Sequence, residues 1–213
     1  MAHETSYTSG QLSAPELGIY AGWIAHAGSF AAHHSVTDDR NGISLAFSGE
    51  CFRDTMPGAS SGPIARAKSW VAESYLDQGF AFAATLNGLF SGLLVDRREK
   101  RALLFNDRYG LERIYVHEIG EDTYFASEAK ALLKILPNLR AFDPTGVAQY
   151  LAYGCTLESQ TLFRGISLLP PASSWAFVPR VSIQRKTYFA PGEWETQETM
   201  SQPQFEAAFA EAF

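Results

Sequence analysis

Short apolar runs separated by polar turn residues dominate the chain from Glu16 onward. Runs of this length that end at Gly, Asn or Asp are typical of β-strands. The predicted strands cover residues 19–26, 43–47, 80–84, 89–95, 102–105, 114–117 and 123–126. The predicted turns fall at Asn41-Gly42, Asn87-Gly88, the basic cluster 97–101 and residues 119–122. Strands this short, joined by turns this tight, predict antiparallel sheets.

Three segments between and after these strands have helical spacing. Residues 65–78 carry apolar side chains on one side and stop at Gly79, which predicts an amphipathic helix. Ser127 is the predicted N-cap of a second helix, and Asp143-Pro144 supplies a cap and a first-turn proline for a third. Apolar residues follow in that third helix at Val147, Tyr150 and Leu151. Strands and helices in this mixture predict an α+β layered domain.

The C-terminal stretch differs from the rest of the chain. Residues 191–203 are rich in Glu, Thr, Gln and Pro and predict a linker, after which Ser201 and Gln204 form a capping-box pair. An apolar stripe follows at Phe205, Ala208, Phe209 and Ala212. A helix this short is marginal in water, so we expect it to fray or to dock on another surface. The predicted organisation is an N-terminal extension (1–15), one domain (16–190), and a linker with the start of a helix (191–213).

Composition limits the classes of function. The 213 residues are 46% hydrophobic and carry a net charge of −6, which suits one sizeable core and argues against a nucleic-acid partner. No apolar stretch reaches bilayer length and residues 1–10 lack a signal-peptide core, so the sequence predicts a cytoplasmic protein without membrane association. Cys51, Cys155 and the pair His33-His34 have no ligand-like spacing, so we predict no metal site and no disulfide.

Several motifs stand in register along the second half of the chain. They are Asn87-Gly88-Leu89-Phe90, Val95-Asp96-Arg97-Arg98, Asn106-Asp107-Arg108-Tyr109-Gly110, Phe125-Ala126-Ser127-Glu128 with Ala129-Lys130-Ala131-Leu132-Leu133, Thr161-Leu162-Phe163-Arg164-Gly165-Ile166, and Leu169-Pro170-Pro171-Ala172. In this order and spacing they resemble the glutaminase half of the asparagine synthetase family. The resemblance implies a class II glutamine amidotransferase domain with the N-terminal-nucleophile hydrolase fold. That fold is a four-layer α/β/β/α sandwich of two antiparallel sheets.

The resemblance also implies a second, ATP-using synthetase domain. That domain would carry a Ser-Gly-Gly-x-Asp-Ser loop for pyrophosphate, and no Ser-Gly in this sequence is followed by a second Gly. We therefore expect no cofactor in this chain, with ATP and Mg²⁺ confined to a missing synthetase domain. We expect the C-terminal helix to contact that domain or a separate synthetase subunit, and a homodimer is a further possibility.

The residues that should hydrolyse glutamine are replaced. The family uses an N-terminal Cys whose thiolate attacks the amide while its own α-amine acts as base. Leu17 stands at that position, before Gly18-Ile19 and behind the N-terminal extension. The family's oxyanion motif, Asn-Gly-Glu, becomes Ser48-Gly49-Glu50, so the Asn side-chain donor is missing.

The residues that would bind the carboxylate and the amino group of the substrate are also replaced. Residues 24–48 lack the family's His-Arg-Gly segment, although Arg40 is a candidate for the carboxylate grip. Ser60-Ser61-Gly62-Pro63 stands where an acidic residue should hold the substrate's amino group. Cys51 follows the altered oxyanion motif, but it is internal and has no α-amine, so we interpret it as a buried strand residue.

The sequence thus predicts no catalytic residue and a degenerate glutamine pocket at Leu17, Ser48, Gly49 and Glu50. We interpret the chain as the amidotransferase-like domain of an asparagine-synthetase-type enzyme, retained as a scaffold after loss of glutaminase activity. β-Lactam synthetases and lasso-peptide cyclases are similar relatives without a working glutaminase. Two alternatives stay open: a working amidotransferase with an unrecognised nucleophile, and a free-standing module that assembles with a separately encoded synthetase.

Overall fold

The computed structural model describes residues 5–36, 41–53 and 69–212. The strands are β1 (Tyr7–Ala14), β2 (Ile19–His26), β3 (Ile43–Arg53), β4 (Leu86–Asp96), β5 (Arg101–Asn106), β6 (Tyr115–Ile119), β7 (Asp122–Ala126), β8 (Ser167–Leu168), β9 (Ser173–Phe177) and β10 (Gln184–Thr187). The helices are α1 (Phe30–His34), α2 (Trp70–Gln78), α3 (Ala129–Ile135), α4 (Pro144–Tyr153) and α5 (Gln202–Ala212). Across these ranges, no helix combines the length and apolarity needed to cross a membrane.

A five-stranded antiparallel sheet in the order β10-β9-β5-β4-β3 forms the centre of the domain. The β4–β5 connection is the predicted turn at the basic cluster. The Asp96 carboxylate accepts the amide N–H groups of Arg98 and Glu99 at 3.0 and 3.1 Å, which closes the turn. Burial disfavours the charged form of Asp96, but the hydrogen bonds from Arg98, Glu99 and Tyr75 outweigh it and lower the pKa of this carboxyl.

Two cores cover the two faces of this sheet. The helix-side core contains Leu45, Phe47, Val71, Tyr75, Phe82, Phe90 and Phe105, among others. The inter-sheet core contains Leu12, Ala14, Leu93, Val95, Ala102, Leu104, Ile114, Val116, Leu169 and Trp175. It joins the central sheet to the β1–β2 hairpin and to the sheet β7-β6-β8. A third cluster, of Leu132, Leu139 and Ile166, packs α3 on β6 and β7.

The predicted α+β sandwich is confirmed, with helices, sheet, sheet and helix in succession. The second β layer differs in one respect, because it consists of a two-stranded and a three-stranded sheet rather than one continuous sheet. Both sheets bury apolar residues against the same face of the central sheet, so they act as one layer in packing.

The segment predicted as an N-terminal extension contributes a strand to this second layer. β1 pairs with β2 along its whole length, from Tyr7 opposite His26 to Ala14 opposite Ile19. Leu12 and Ala14 are almost completely buried in the inter-sheet core. The alternation that places them inward is weak in the sequence because Ser, Thr and Gly fill most of the other positions.

Three local predictions are wrong. Residues 80–84 form a 3-10 segment (Gly79–Thr85) instead of a strand. A short apolar run has no periodicity that would distinguish a strand from a helical segment. Asn87-Gly88 is not a turn but part of β4, where a Cβ on Gly88 would lie 2.4 Å from the Glu50 carbonyl oxygen of β3. The N-cap of α3 is Glu128 rather than Ser127.

The other helix predictions agree with the structure except at the start of α2. α2 ends at Gln78, before Gly79, as expected, but it begins at Trp70, because Ser69 is extended and occupies the N-cap position. Residues 65–68 of the predicted helix lie outside the described ranges. The Asp143 carboxylate accepts the Gly146 N–H at 3.0 Å and caps α4. In α5, the Gln204 side chain accepts the Ser201 N–H at 2.9 Å, and Phe205 is 58% exposed. Docking of α5 on another surface stays a prediction.

Candidate functional site

Leu17 ends a 3-10 turn that connects β1 to β2. Gly18 follows in the left-handed conformation, at φ 69°, and its N–H donates to the Pro15 carbonyl at 3.0 Å. The Leu17 side chain is half-buried and packs against the inter-sheet core. Its backbone nitrogen belongs to the peptide bond with Glu16, so the position has neither a nucleophilic side chain nor a free α-amine.

Arg97 connects this turn to the start of β3 through hydrogen bonds. Its guanidinium donates to the Ser44 hydroxyl at 2.9 Å and to the Ser13 carbonyl at 2.7 Å. The same side chain lies 3.5 Å from a Glu16 carboxylate oxygen. The Leu17 turn therefore lies beside Ser44.

The altered oxyanion motif lies farther along the same strand. Ser48 is four residues beyond Ser44, which corresponds to ~13 Å at the usual rise of a β-strand. Ser48 faces Ser91 of β4, Gly49 faces Phe90, and the exposed Glu50 faces Leu89. Ser48, Gly49 and Glu50 therefore lie together on β3, whereas the turn that contains Leu17 is connected through Arg97 to Ser44 of the same strand.

A carboxylate occupies the neighbourhood where an amide donor was expected. The Ser48 hydroxyl donates to Glu112 Oε1 at 2.5 Å. An oxyanion hole works because its donors face the position where negative charge develops. A carboxylate held against Ser48 has the opposite effect, since it repels that charge. The sequence contains no local signal for this contact, because it joins residues 64 positions apart.

Asp107 holds the loop that presents Glu112. Its carboxylate is fully buried and accepts three backbone N–H groups, from Tyr109 at 3.0 Å, Leu111 at 3.2 Å and Glu112 at 2.9 Å. Asp107 therefore stabilises this loop through hydrogen bonds to its backbone. Arg108 instead donates to the Ala84 carbonyl, at 3.4 Å.

Asn106 connects this loop to the Leu169–Ala172 motif. Its side-chain amide donates to the Leu169 and Pro170 carbonyls at 3.3 and 3.0 Å and accepts the Ser173 N–H at 2.8 Å. The Ala172 N–H donates to the Asp107 carbonyl at 2.9 Å. Two of the motifs that carry the family resemblance therefore bind each other, which gives them a structural role.

Cys51 is a buried residue of β3, as the sequence predicted. Only 1% of it is exposed, and burial raises the pKa of its thiol to about 12. Since the thiolate is the nucleophilic form, Cys51 is unreactive at neutral pH.

Alkylation tests this assignment. We expect iodoacetamide at pH 8 to modify the exposed Cys155 and to leave Cys51 unmodified, as read by peptide mass spectrometry. In denaturant both thiols should react, which serves as the control. Modification of Cys51 in the native protein at a rate similar to that of Cys155 would contradict the assignment.

The remaining candidates do not join a site in the described residues. Arg40 and the segment Ser60–Pro63 lie outside the described ranges. His33 and His34 belong to α1. His34 Nδ1 lies 2.9 Å from the Ser69 hydroxyl, and burial together with neighbouring His33 lowers the pKa of His34. This contact packs α1 against the start of α2.

Known proteins similar to this chain agree on one family. A family model described as "Glutamine amidotransferase domain" matches residues 69–189, which is more than half of the chain. "Asparagine synthetase [glutamine-hydrolyzing] 1" of Bacillus subtilis (strain 168) is 29% identical over 107 residues, covering 50% of this chain and 17% of that protein. The chain therefore spans about a sixth of this curated relative.

A solved structure is also similar. Glutamine phosphoribosylpyrophosphate amidotransferase from B. subtilis, complexed with ADP and GMP, has a TM-score of 0.44 and 15% identity, covering 79% of this chain and 35% of that chain. The resemblance to asparagine synthetases that the motifs indicated is confirmed by the family match and the curated relative. The chain belongs to the glutamine amidotransferase domain family.

Proposed function

We propose that this chain is a non-catalytic amidotransferase-like domain of an ATP-dependent, amide-forming enzyme of the asparagine synthetase type, in which it acts as a scaffold. The observation that carries the proposal is Leu17. It stands at the position of the nucleophile, with its side chain against the inter-sheet core and its nitrogen in a peptide bond. Amide hydrolysis on this fold needs a thiolate and an adjacent base, and this position supplies neither.

The electrostatics near Ser48 support the same proposal. Glutamine hydrolysis passes through an oxyanion, which preorganised N–H donors stabilise by several kcal/mol in working sites. Here the Ser48 hydroxyl is already engaged as a donor to Glu112. Restoring a cysteine at position 17 would leave the side-chain oxyanion donor missing, so one substitution would not rebuild the site.

A scaffold role suits a parent enzyme that does not use ammonia from glutamine. In such an enzyme an acyl-adenylate would be attacked by an amine that is bound directly, as in a lasso-peptide or β-lactam-type cyclase. ATP and Mg²⁺ would bind in the synthetase part, and α5 would contact that part as a domain or a subunit. A working amidotransferase that uses another nucleophile is the competing function.

A glutaminase assay separates the two. We expect ammonia release from glutamine to stay at the level of the heat-denatured protein, with no labelling by a glutamine-like electrophile, because no thiolate is available at position 17. A Cys51→Ala variant is the matched control, since it removes the cysteine nearest the altered oxyanion motif. Ammonia release that is lost in this variant would contradict the proposal.

The coding sequence downstream of Phe213 tests whether the parent enzyme has a synthetase domain. Continuation into a Ser-Gly-Gly-x-Asp-Ser loop would support a fused synthetase. If neither this frame nor its neighbours encode such a loop, the amide-forming part of the proposal fails.

A further inference from the structure

The inter-sheet core ends before the last residues of β3 and the first residues of β4. Leu89 and Ser91 of β4 lie at even spacing from Leu93, which belongs to that core, so their side chains face the same side of the central sheet. Their partners on β3 are Glu50 and Ser48. Leu89 is 49% exposed and Glu50 is exposed, so this end of the sheet face is open to solvent.

Strand pairing and one side-chain contact bring five residues of this region together. Ser48 and Ser91 are directly opposite each other, and Glu50 and Leu89 form the next pair on the same face. The Cβ atoms of such pairs lie about 4.5–5.5 Å apart. Glu112 joins them from the loop after β5, because its carboxylate accepts the Ser48 hydroxyl. We call these five residues the β3–β4 site.

The β3–β4 site offers hydrogen-bond acceptors and negative charge. The Ser48 proton is already donated to Glu112, so the lone pairs of the Ser48 oxygen and the second carboxylate oxygen of Glu112 are left as acceptors. Within the part of the chain that the structure describes, neither Glu50 nor Glu112 forms an ion pair. The site therefore favours a ligand that donates hydrogen bonds and carries positive charge.

Ser91 gives an independent indication of a polar ligand. Only 3% of this residue is exposed, yet its hydroxyl forms no hydrogen bond with any residue of the described ranges. Hydroxyls at such depth are normally hydrogen-bonded, because an unpaired one costs free energy. Asn106 lies opposite Ser91 on β5, but its side-chain amide is engaged by backbone groups of residues 169–173.

We propose that the β3–β4 site binds a primary alkylammonium group, such as a free alkylamine or the side chain of a lysine in a peptide. An ammonium has three N–H donors and no acceptor, which matches the acceptors on Glu112, Ser48 and Ser91. Glu112 is half-buried, so its attraction for a cation is stronger than in bulk water. Leu89 offers apolar surface to the alkyl stem.

A metal ion fits this site less well than an ammonium. The described residues contain no group of three or more His, Cys, Asp or Glu side chains that could hold one. Hard cations such as Ca²⁺ and Mg²⁺ need six or more oxygen ligands, of which the β3–β4 site supplies few.

Ammonium binding is a further activity beside the scaffold role. It does not require that glutaminase activity is lost, and a scaffold need not bind an amine. The glutaminase assay and a binding experiment can therefore fail independently of each other.

Heteronuclear NMR of the 213-residue chain tests the site, with Nα-acetyl-lysine methylamide as the probe. We expect saturable shifts of the Ser48, Ser91 and Glu112 amide signals. The norleucine analogue keeps the alkyl stem without the ammonium, and we expect it to bind at least ~tenfold more weakly. n-Butylamine distinguishes the two sources of the ammonium. Binding as tight as that of the lysine probe indicates a free amine, and weaker binding indicates a lysine in a peptide.

Three variants separate binding from structure. Glu112→Gln keeps an oxygen that can accept the Ser48 hydroxyl but removes the charge, so the dissociation constant of the lysine probe should rise by at least ~tenfold. Ser91→Ala should weaken binding without lowering the midpoint of denaturant unfolding, because it removes a hydroxyl that has no partner in the described residues. Glu121→Gln, in the exposed turn between β6 and β7, is the matched control and should bind the probe normally.

The proposal fails if the lysine probe causes no saturable shift up to its solubility limit. It also fails if the norleucine analogue binds as tightly as the lysine probe, since the site would then recognise only the apolar stem. Binding that is unchanged in both Glu112→Gln and Ser91→Ala would place the ammonium elsewhere on the chain.

Discussion

Replacing Asp107 by alanine is expected to lower the free energy of unfolding by roughly 3 kcal/mol or more. The carboxylate is fully buried and is the hydrogen-bond acceptor for three backbone N–H groups, of Tyr109, Leu111 and Glu112. Removing it leaves these donors without their acceptor, and each unsatisfied buried group costs on the order of 1 kcal/mol. Chemical denaturation followed by tryptophan fluorescence measures the loss.

Asp143→Ala is the matched control for this experiment. The Asp143 carboxylate accepts one N–H, of Gly146, at a helix N-terminus, so its removal should cost only about 1 kcal/mol. The loss of unfolding free energy for Asp107→Asn should lie between the losses for Asp107→Ala and Asp143→Ala, because one carbonyl oxygen remains as acceptor. Equal losses for Asp107→Ala and Asp143→Ala would mean that the loop does not depend on the buried carboxylate.

Replacing Gly49 by alanine is expected to destabilise the fold by about 3 kcal/mol or more. Gly49 has a φ of 85°, and a Cβ there would lie 2.1 Å from the Leu89 carbonyl oxygen of the neighbouring strand. Backbone cannot move aside as the end of a side chain can, so β3 and β4 would have to separate locally. The midpoint of denaturant unfolding reports the effect.

Gly120→Ala separates steric contact from backbone conformation. Gly120 has a similar positive φ, of 60°, but no atom within 4 Å of a Cβ. It should therefore cost only about 1 kcal/mol, which is the strain of a left-handed alanine. If Gly49→Ala and Gly120→Ala lose the same stability, the close approach between Gly49 and Leu89 does not contribute to the cost of Gly49→Ala.

These expected losses of stability bear on why the family motifs at Asn106 and Asp107 are present in this chain. Asn106 and Asp107 bind backbone groups in their own loop and in the segment from Leu169 to Ser173. Gly49 allows two strands to approach each other closely. Their roles are structural, so losing them would cost stability whether or not glutamine is hydrolysed. A domain retained as a scaffold would keep such residues even when Leu17 replaces the nucleophile.

Features with a local physical cause could be predicted from the sequence alone. The strands from β5 to β7 follow from apolar runs bounded by turn residues, and α4 follows from Asp143-Pro144 at its start. The family follows from motifs at defined spacing, and the proposal that the chain lacks the nucleophile follows from the identity of Leu17. Each of these depends on residues close together in the chain, so no tertiary contact was needed to recognise it.

Other features were decided only by tertiary contacts. The sequence pattern of residues 80–84 predicts a strand, but these residues form a 3-10 segment that buries Phe82 in the helix-side core. The mainly polar N-terminal segment forms β1 because Leu12 and Ala14 fill the inter-sheet core. The carboxylate of Glu112 beside Ser48, and the hydrogen bond from Arg97 to Ser44 near the start of β3, depend on how β3 is packed and paired. The sequence determined the family and the residues at the proposed pocket positions, whereas packing between distant segments decided which side chains lie beside them, because local patterns carry no information about partners far away in the chain.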